Sequence, residues 1–70
     1  DNADKALLLF SRIGLKEGVM FSLQKQANVN CKDDMTGDTP LINAVRNNDK
    51  ELLILLFLSI ILWNAGALIS

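Results

Sequence analysis

The side chains able to do chemistry are sparse and poorly spaced for it. There is no histidine, which removes Ser-His and Cys-His nucleophilic arrangements and most zinc sites. Cys31 is the only cysteine, so no internal disulfide forms. A lone thiol fits a reduced intracellular setting, cytoplasmic or nuclear, where it is incidental. Asp33, Asp34 and Asp38 are close enough in sequence to suggest calcium. An EF-hand loop opened at Asp34 needs a glutamate at its twelfth position, however, and that place holds Val45. These acids read instead as a solvated turn or as a rim for partner contacts. Glu17 and Glu51 are too isolated to nominate as an acid/base pair. Neither the Gly-x-x-x-x-Gly-Lys phosphate loop nor the Gly-x-Gly-x-x-Gly fingerprint occurs. The expectation is a chain that is not an enzyme, with no catalytic, cofactor or metal site.

Charge narrows the partners further. Seven basic and eight acidic side chains leave a formal net charge of −1. The basic residues are scattered among acids, without the clustered Lys and Arg that displace counterions from nucleic acid. No nucleic acid partner is expected. The placement of the charges is the strongest asymmetry in the chain: all lie between Asp1 and Glu51, and none between Leu52 and Ser70. The chain opens on Asp1 without a basic-apolar leader, and the missing Met reads as a fragment or processed product. Seventy residues, half of them hydrophobic, make one small domain that buries only about 60% of its unfolded surface.

The elements that would position these residues are helical. From Ala3 to about Ile13, Ala6, Leu9, Phe10 and Ile13 recur at helical spacing, with Asn2 or Asp4 as cap and Gly14 as a left-handed stop. A second helix from about Lys16 to Gln26 carries Val19, Met20, Phe21 and Leu23, making a helical hairpin with the first. Asn28 to Asp38 is polar, aperiodic and turn-rich. Thr39-Pro40 then starts a third helix, the hydroxyl accepting an orphan N–H and the proline lacking one to waste. Asn47-Asn48 breaks it, and Asp49 or Asn48 caps a fourth helix. That last helix is apolar from Leu52 to Trp63 except for Ser59, and Asn64-Ala65-Gly66-Ala67 reads as its stop.

Thr39-Pro40-Leu41-Ile42-Asn43-Ala44-Val45-Arg46-Asn47-Asn48 resembles the Thr-Pro-Leu-His-x-Ala-Ala-x-x-Gly stretch of the ankyrin repeat, a unit of about 33 residues with a turn and two helices. Ala27-Asn28-Val29-Asn30 resembles the segment closing the preceding repeat, with Gly14, Glu17, Val19 and Leu23 at the family's spacing upstream. The resemblance implies an all-α fold of stacked helix-turn-helix repeats joined by a polar, hairpin-like finger. Residues 1–30 would be an N-terminal capping repeat and residues 31–70 a second repeat with an extended apolar last helix. Three departures stand out. Ile42 occupies the usual histidine position, the finger is one residue longer, and the last helix has about six surplus residues. Those six turn a helical face by about 240°.

The resemblance further implies a module that binds a protein partner through finger tips and the exposed side of each first helix. Carried onto this chain, the contact residues would be Asp34, Met35, Thr36 and Asp38 in the finger, Asn43, Arg46 and Asn47 beyond it, and Arg12 and Ile13 in the first repeat. The alternative is a membrane-associated protein with Leu52–Ser70 as a transmembrane segment, since nineteen uncharged residues approach the roughly 20 of a spanning helix. A third expectation is docking or self-association through Leu52–Trp63, against further repeats, a second copy or a partner helix, with Leu56 and Ile60 in the contact.

Overall fold

The computed structural model describes residues 1–69, with side chains described through residue 66. Among the described residues there are four helices and no strand: α1 (Asn2–Ile13), α2 (Lys16–Gln24), α3 (Pro40–Arg46) and α4 (Lys50–Ile69). The α1–α2 and α3–α4 pairs are helical hairpins, α1 packs on both α2 and α3, and residues 25–39 form the connecting finger. The helical class and the four-helix order match the sequence expectation.

Helix boundaries follow local chemistry. The Asp1 carboxylate, and not Asn2 or Asp4, caps α1 by accepting the Ala3 N–H at 2.8 Å. Asp4 instead makes a long-range bond, accepting the Asn28 N–H at 2.7 Å and tying the base of the finger to α1. Gly14 takes the left-handed conformation (φ 77°) and ends α1 with its N–H on the Phe10 carbonyl, the conformation that costs glycine least. Helix α2 ends at Gln24, two residues before the expected boundary, as the chain turns through Gln26 at φ 64°. Thr39 Oγ1 accepts the Ile42 N–H at 3.2 Å and Pro40 opens α3. Asn48 sits at φ 53° between α3 and α4, and Asp49 Oδ1 accepts the Leu52 N–H at 3.1 Å as the α4 cap.

Asn64-Ala65-Gly66-Ala67 does not stop α4. The helix continues to Ile69, and the positive-φ glycines are Gly14 and Gly37, not Gly66. Glycine inside a helix costs about 1 kcal/mol relative to alanine, whereas each residue added to a formed helix gains a hydrogen bond without new nucleation. With alanines on both sides, the helix persists.

The core is small: Leu7, Val19, Ala27, Val29, Ala44, Leu52 and Leu56 are buried together. Leu56 therefore belongs to the interior and Ile60 packs against it, so neither supplies the outward docking face expected of them. Gly18 is buried where a Cβ would strike the Phe10 ring, which fixes how closely α1 and α2 approach. Polar groups also cross between the hairpins. Asn43 Nδ2 donates to Ser11 Oγ at 3.1 Å and to the Leu8 carbonyl at 3.3 Å. Asn47 Nδ2 donates to the Ser11 and Arg12 carbonyls at 3.1 and 2.8 Å, two of the carbonyls that the last turn of α1 leaves unpaired. Asn43 on α3 and Asn47 at its C-terminal cap thus make inter-hairpin bonds although Ile42 stands at the histidine position.

Candidate protein-binding groove

The finger and the exposed sides of α1 and α3 enclose a groove of about 480 Å³. Its α1 wall is Lys5, Leu8, Leu9 and Arg12, a set spaced for one helical face. The opposite wall is the finger, folded by its own side chains. Asp33 Oδ1 accepts the N–H groups of Met35 and Thr36 at 2.8 and 3.0 Å, and the Asp33 N–H reaches the Asp38 carbonyl at 2.9 Å. Gly37, at φ 75°, closes the turn. Two backbone donors on one carboxylate hold the Asp33 pKa below its usual value, mainly through Thr36 and then Met35. Met35 is left at the tip, 95% exposed.

Arg46 at the end of α3 donates to Asp38 Oδ2 at 2.6 Å. That charge-assisted bond lowers the Asp38 pKa and raises that of Arg46. It also braces the finger against α3, because the two residues lie on different elements. Cys31 lines the groove beside Asp4. Burial, with the Asp4 charge as a second cause, pushes its thiol up to about 11, so at neutral pH it is a protonated, weakly nucleophilic group.

Of the nine residues expected to meet a partner, Arg12, Asp34, Met35, Thr36, Asp38, Asn43 and Arg46 line this one groove. Asn43 does so from a buried position, with its amide spent on Ser11 and Leu8; its side chain fastens α3 to α1 and offers no donor outward. Ile13 and Asn47 are placed elsewhere, lining a shallow depression with Gly14 and Asp49. There Asn47 caps α1 and Ile13 is exposed. Asp1, Asp4, Lys5, Leu8, Leu9, Cys31 and Lys32 complete the groove without having been expected there, together with Asp33, which reads from sequence as part of a solvated turn or a rim for partner contacts. The Lys5-Leu8-Leu9-Arg12 spacing could have flagged the α1 wall, but Leu8 and Leu9 sit in an unbroken apolar run, Ala6 to Phe10, that hides it. No sequence signal places Asp1 or Lys32.

The family model for ankyrin repeats (many copies) matches residues 14–57. The chain belongs to the ankyrin-repeat family. Ankyrin repeats are non-catalytic modules that generally mediate protein–protein interaction. The match begins after α1 and ends inside α4, so α1 and the latter part of α4 lie outside the matched residues. No curated protein and no solved structure matches this chain significantly.

The membrane-anchor alternative is not favoured: within residues 1–66, whose side chains are described, no helix is long and apolar enough to cross a membrane. Ser70, the end of the segment considered for that role, lies outside the described residues. The first half of the segment is also committed elsewhere, because Leu52 and Leu56 are buried in the protein core.

Proposed function

We propose that this ankyrin module holds a partner protein by seating one of its segments between the finger and the exposed side of α1. In this reading residues 1–30 and 31–70 act as two repeats, the first as a cap. The module works in an intracellular compartment, in keeping with its unpaired Cys31. The observation that carries the reading is the convergence of seven partner-contact candidates on one groove, although they come from three separate stretches of sequence. Met35 supplies an adaptable apolar contact at the finger tip. Arg12 and Arg46 offer directional donors to carboxylates or carbonyls on the partner, and Asp34 offers an acceptor. Asn43 and Asn47 act indirectly by keeping α3 in register on α1. The groove contains both signs of charge, so selectivity would come from the pattern of contacts and not from net attraction.

The test is selection from a phage-displayed random peptide library against the immobilised chain, with each selected peptide re-measured on groove variants. Met35→Glu and Arg12→Glu should weaken the selected peptides by about tenfold or more, the scale of a truncated interface anchor. Met20→Glu, an exposed change on α2, should not. Peptides that bind the groove variants as tightly as the wild type would exclude this site.

A further inference from the structure

Helix α4 is apolar on every side, but its neighbours cover one side only. At 1.5 Å per residue its 20 residues span about 30 Å, whereas the seven residues of α3 span about 10 Å. Leu52 and Leu56 point into the core. Ile54, Phe57, Leu58 and Ile61, at i, i+3, i+4 and i+7, lie on the opposite side and are 60, 57, 55 and 49% exposed. That spacing forms one continuous stripe along a helix, and a helix hydrophobic all round is normally buried all round.

The amount of exposed surface fits one missing contact. The chain exposes 4897 Å², whereas a compact monomer of 7.7 kDa is expected to expose about 4,300 Å². The chain as a whole thus exposes about 600 Å² more than that, and the α4 stripe contributes to it; stable protein interfaces take roughly 600–1,000 Å² from each side.

We infer that the Ile54-Phe57-Leu58-Ile61 stripe is a homodimer interface, covered by the same stripe of a second copy running antiparallel. A two-fold contact requires a patch that complements itself, and an uncharged row of aliphatic and aromatic side chains does so. No side chain from Leu52 onward carries a sign for a different partner to answer. Ser59, the polar residue within the run, donates to its own helix at the Leu55 carbonyl, 2.8 Å away. It asks nothing of a partner.

Antiparallel pairing about the centre of the stripe sets Phe57 of one copy against Leu58 of the other. It places Lys50 and Glu51 beside Asn64 and Ala65 of the second copy, so no like charges meet. The opposed helix dipoles also attract in this orientation. No groove residue lies on α4, so the dimer interface and the peptide-binding groove are separate surfaces and can fail independently.

Sedimentation equilibrium of the 70-residue chain, across micromolar concentrations, tests this directly. The wild type should approach about twice 7.7 kDa. Phe57→Lys with Ile61→Lys should raise the dissociation constant at least about tenfold, because dimerisation would strip water from unpaired ammonium groups. The helical circular dichroism of that variant should be unchanged, since both positions are exposed.

Cross-linking supplies a second readout, in a Cys31→Ser background. Leu58→Cys, near the two-fold axis, should oxidise to a disulfide dimer, whereas Met20→Cys on α2 should form no covalent dimer. A wild type that is monomeric throughout, a polydisperse aggregate, or dimerisation unaffected by the two lysines would overturn the inference. So would equal cross-linking at both cysteines, or transfer of the wild type onto phosphatidylcholine vesicles with no dimer remaining.

Discussion

Asn43 is the side chain through which the two hairpins are held in register, and replacing it should show how much that register contributes. Its amide makes hydrogen bonds of 3.1 and 3.3 Å to Ser11 Oγ and the Leu8 carbonyl from a buried position. Each such bond contributes about 0.5–1.5 kcal/mol net, so Asn43→Ala should cost about 1–3 kcal/mol. A domain of 70 residues has about 3.5–10 kcal/mol in all, which makes this a large fraction.

Asn43→Asp should be worse at neutral pH. It removes both N–H donors and sets a carboxylate against the Leu8 carbonyl, adding about 1–3 kcal/mol of unmet desolvation. Burial of that carboxylate would raise its folded pKa above the unfolded value near 4. The penalty is then absent below that pH and grows as pH rises through it. Urea unfolding followed by far-UV circular dichroism at pH 4 and pH 7 reads both effects. The double variant with Ser11→Ala should show a coupling of at least about 0.5 kcal/mol between the two sites. An Asn43→Ala protein within about 0.3 kcal/mol of the wild type would refute this reasoning, as would an Asp variant no less stable than the Ala variant at pH 7.

The remaining predictions concern single sites. Gly18→Ala should destabilise by about 1–3 kcal/mol in thermal unfolding, because its new Cβ meets the Phe10 ring and the overpacking exceeds the gain in helix propensity. Gly66→Ala, with no atom within 4 Å of the added Cβ, should instead stabilise by up to about 1 kcal/mol; equal effects at the two sites would contradict the packing. Cys31, with its thiol raised from 9.0 to about 11, should react with iodoacetamide near neutral pH about 100-fold more slowly folded than in urea. The same raised pKa means that Cys31 favours the fold below about pH 9 and that this contribution is lost as pH rises toward 11. Thr39→Ala should cost about 1 kcal/mol by removing the bond to the Ile42 N–H, measurable as a lowered urea midpoint with an unchanged slope.

Much of the fold was legible because it is written in local chemistry. Gly14, Thr39-Pro40, Asn48 and Asp49 each satisfy a helix end through groups within a few residues, so their types and order set α1, α3 and the start of α4 without reference to the rest of the chain. The stop expected at Asn64-Ala65-Gly66-Ala67 failed because its cost is too small to end a helix already propagating.

What the tertiary structure decided is which way each side chain faces and what it meets. Asn43, Asp34 and Arg46 all read as polar surface in sequence, yet only packing turns Asn43 inward onto Ser11 while leaving Asp34 and Arg46 on the groove. Asp4 could equally have capped α1, but a contact across 24 residues of chain, to Asn28, claims it. The apolar run of α4 carries no periodicity that distinguishes its sides, because every side is hydrophobic. Composition alone therefore could not say that Leu56 belongs to the core and Phe57 to the surface. The sequence specified the helices and their repeat pattern through short-range bonds. The direction of each face was decided by long-range contacts, which form only once α1 and α3 come together.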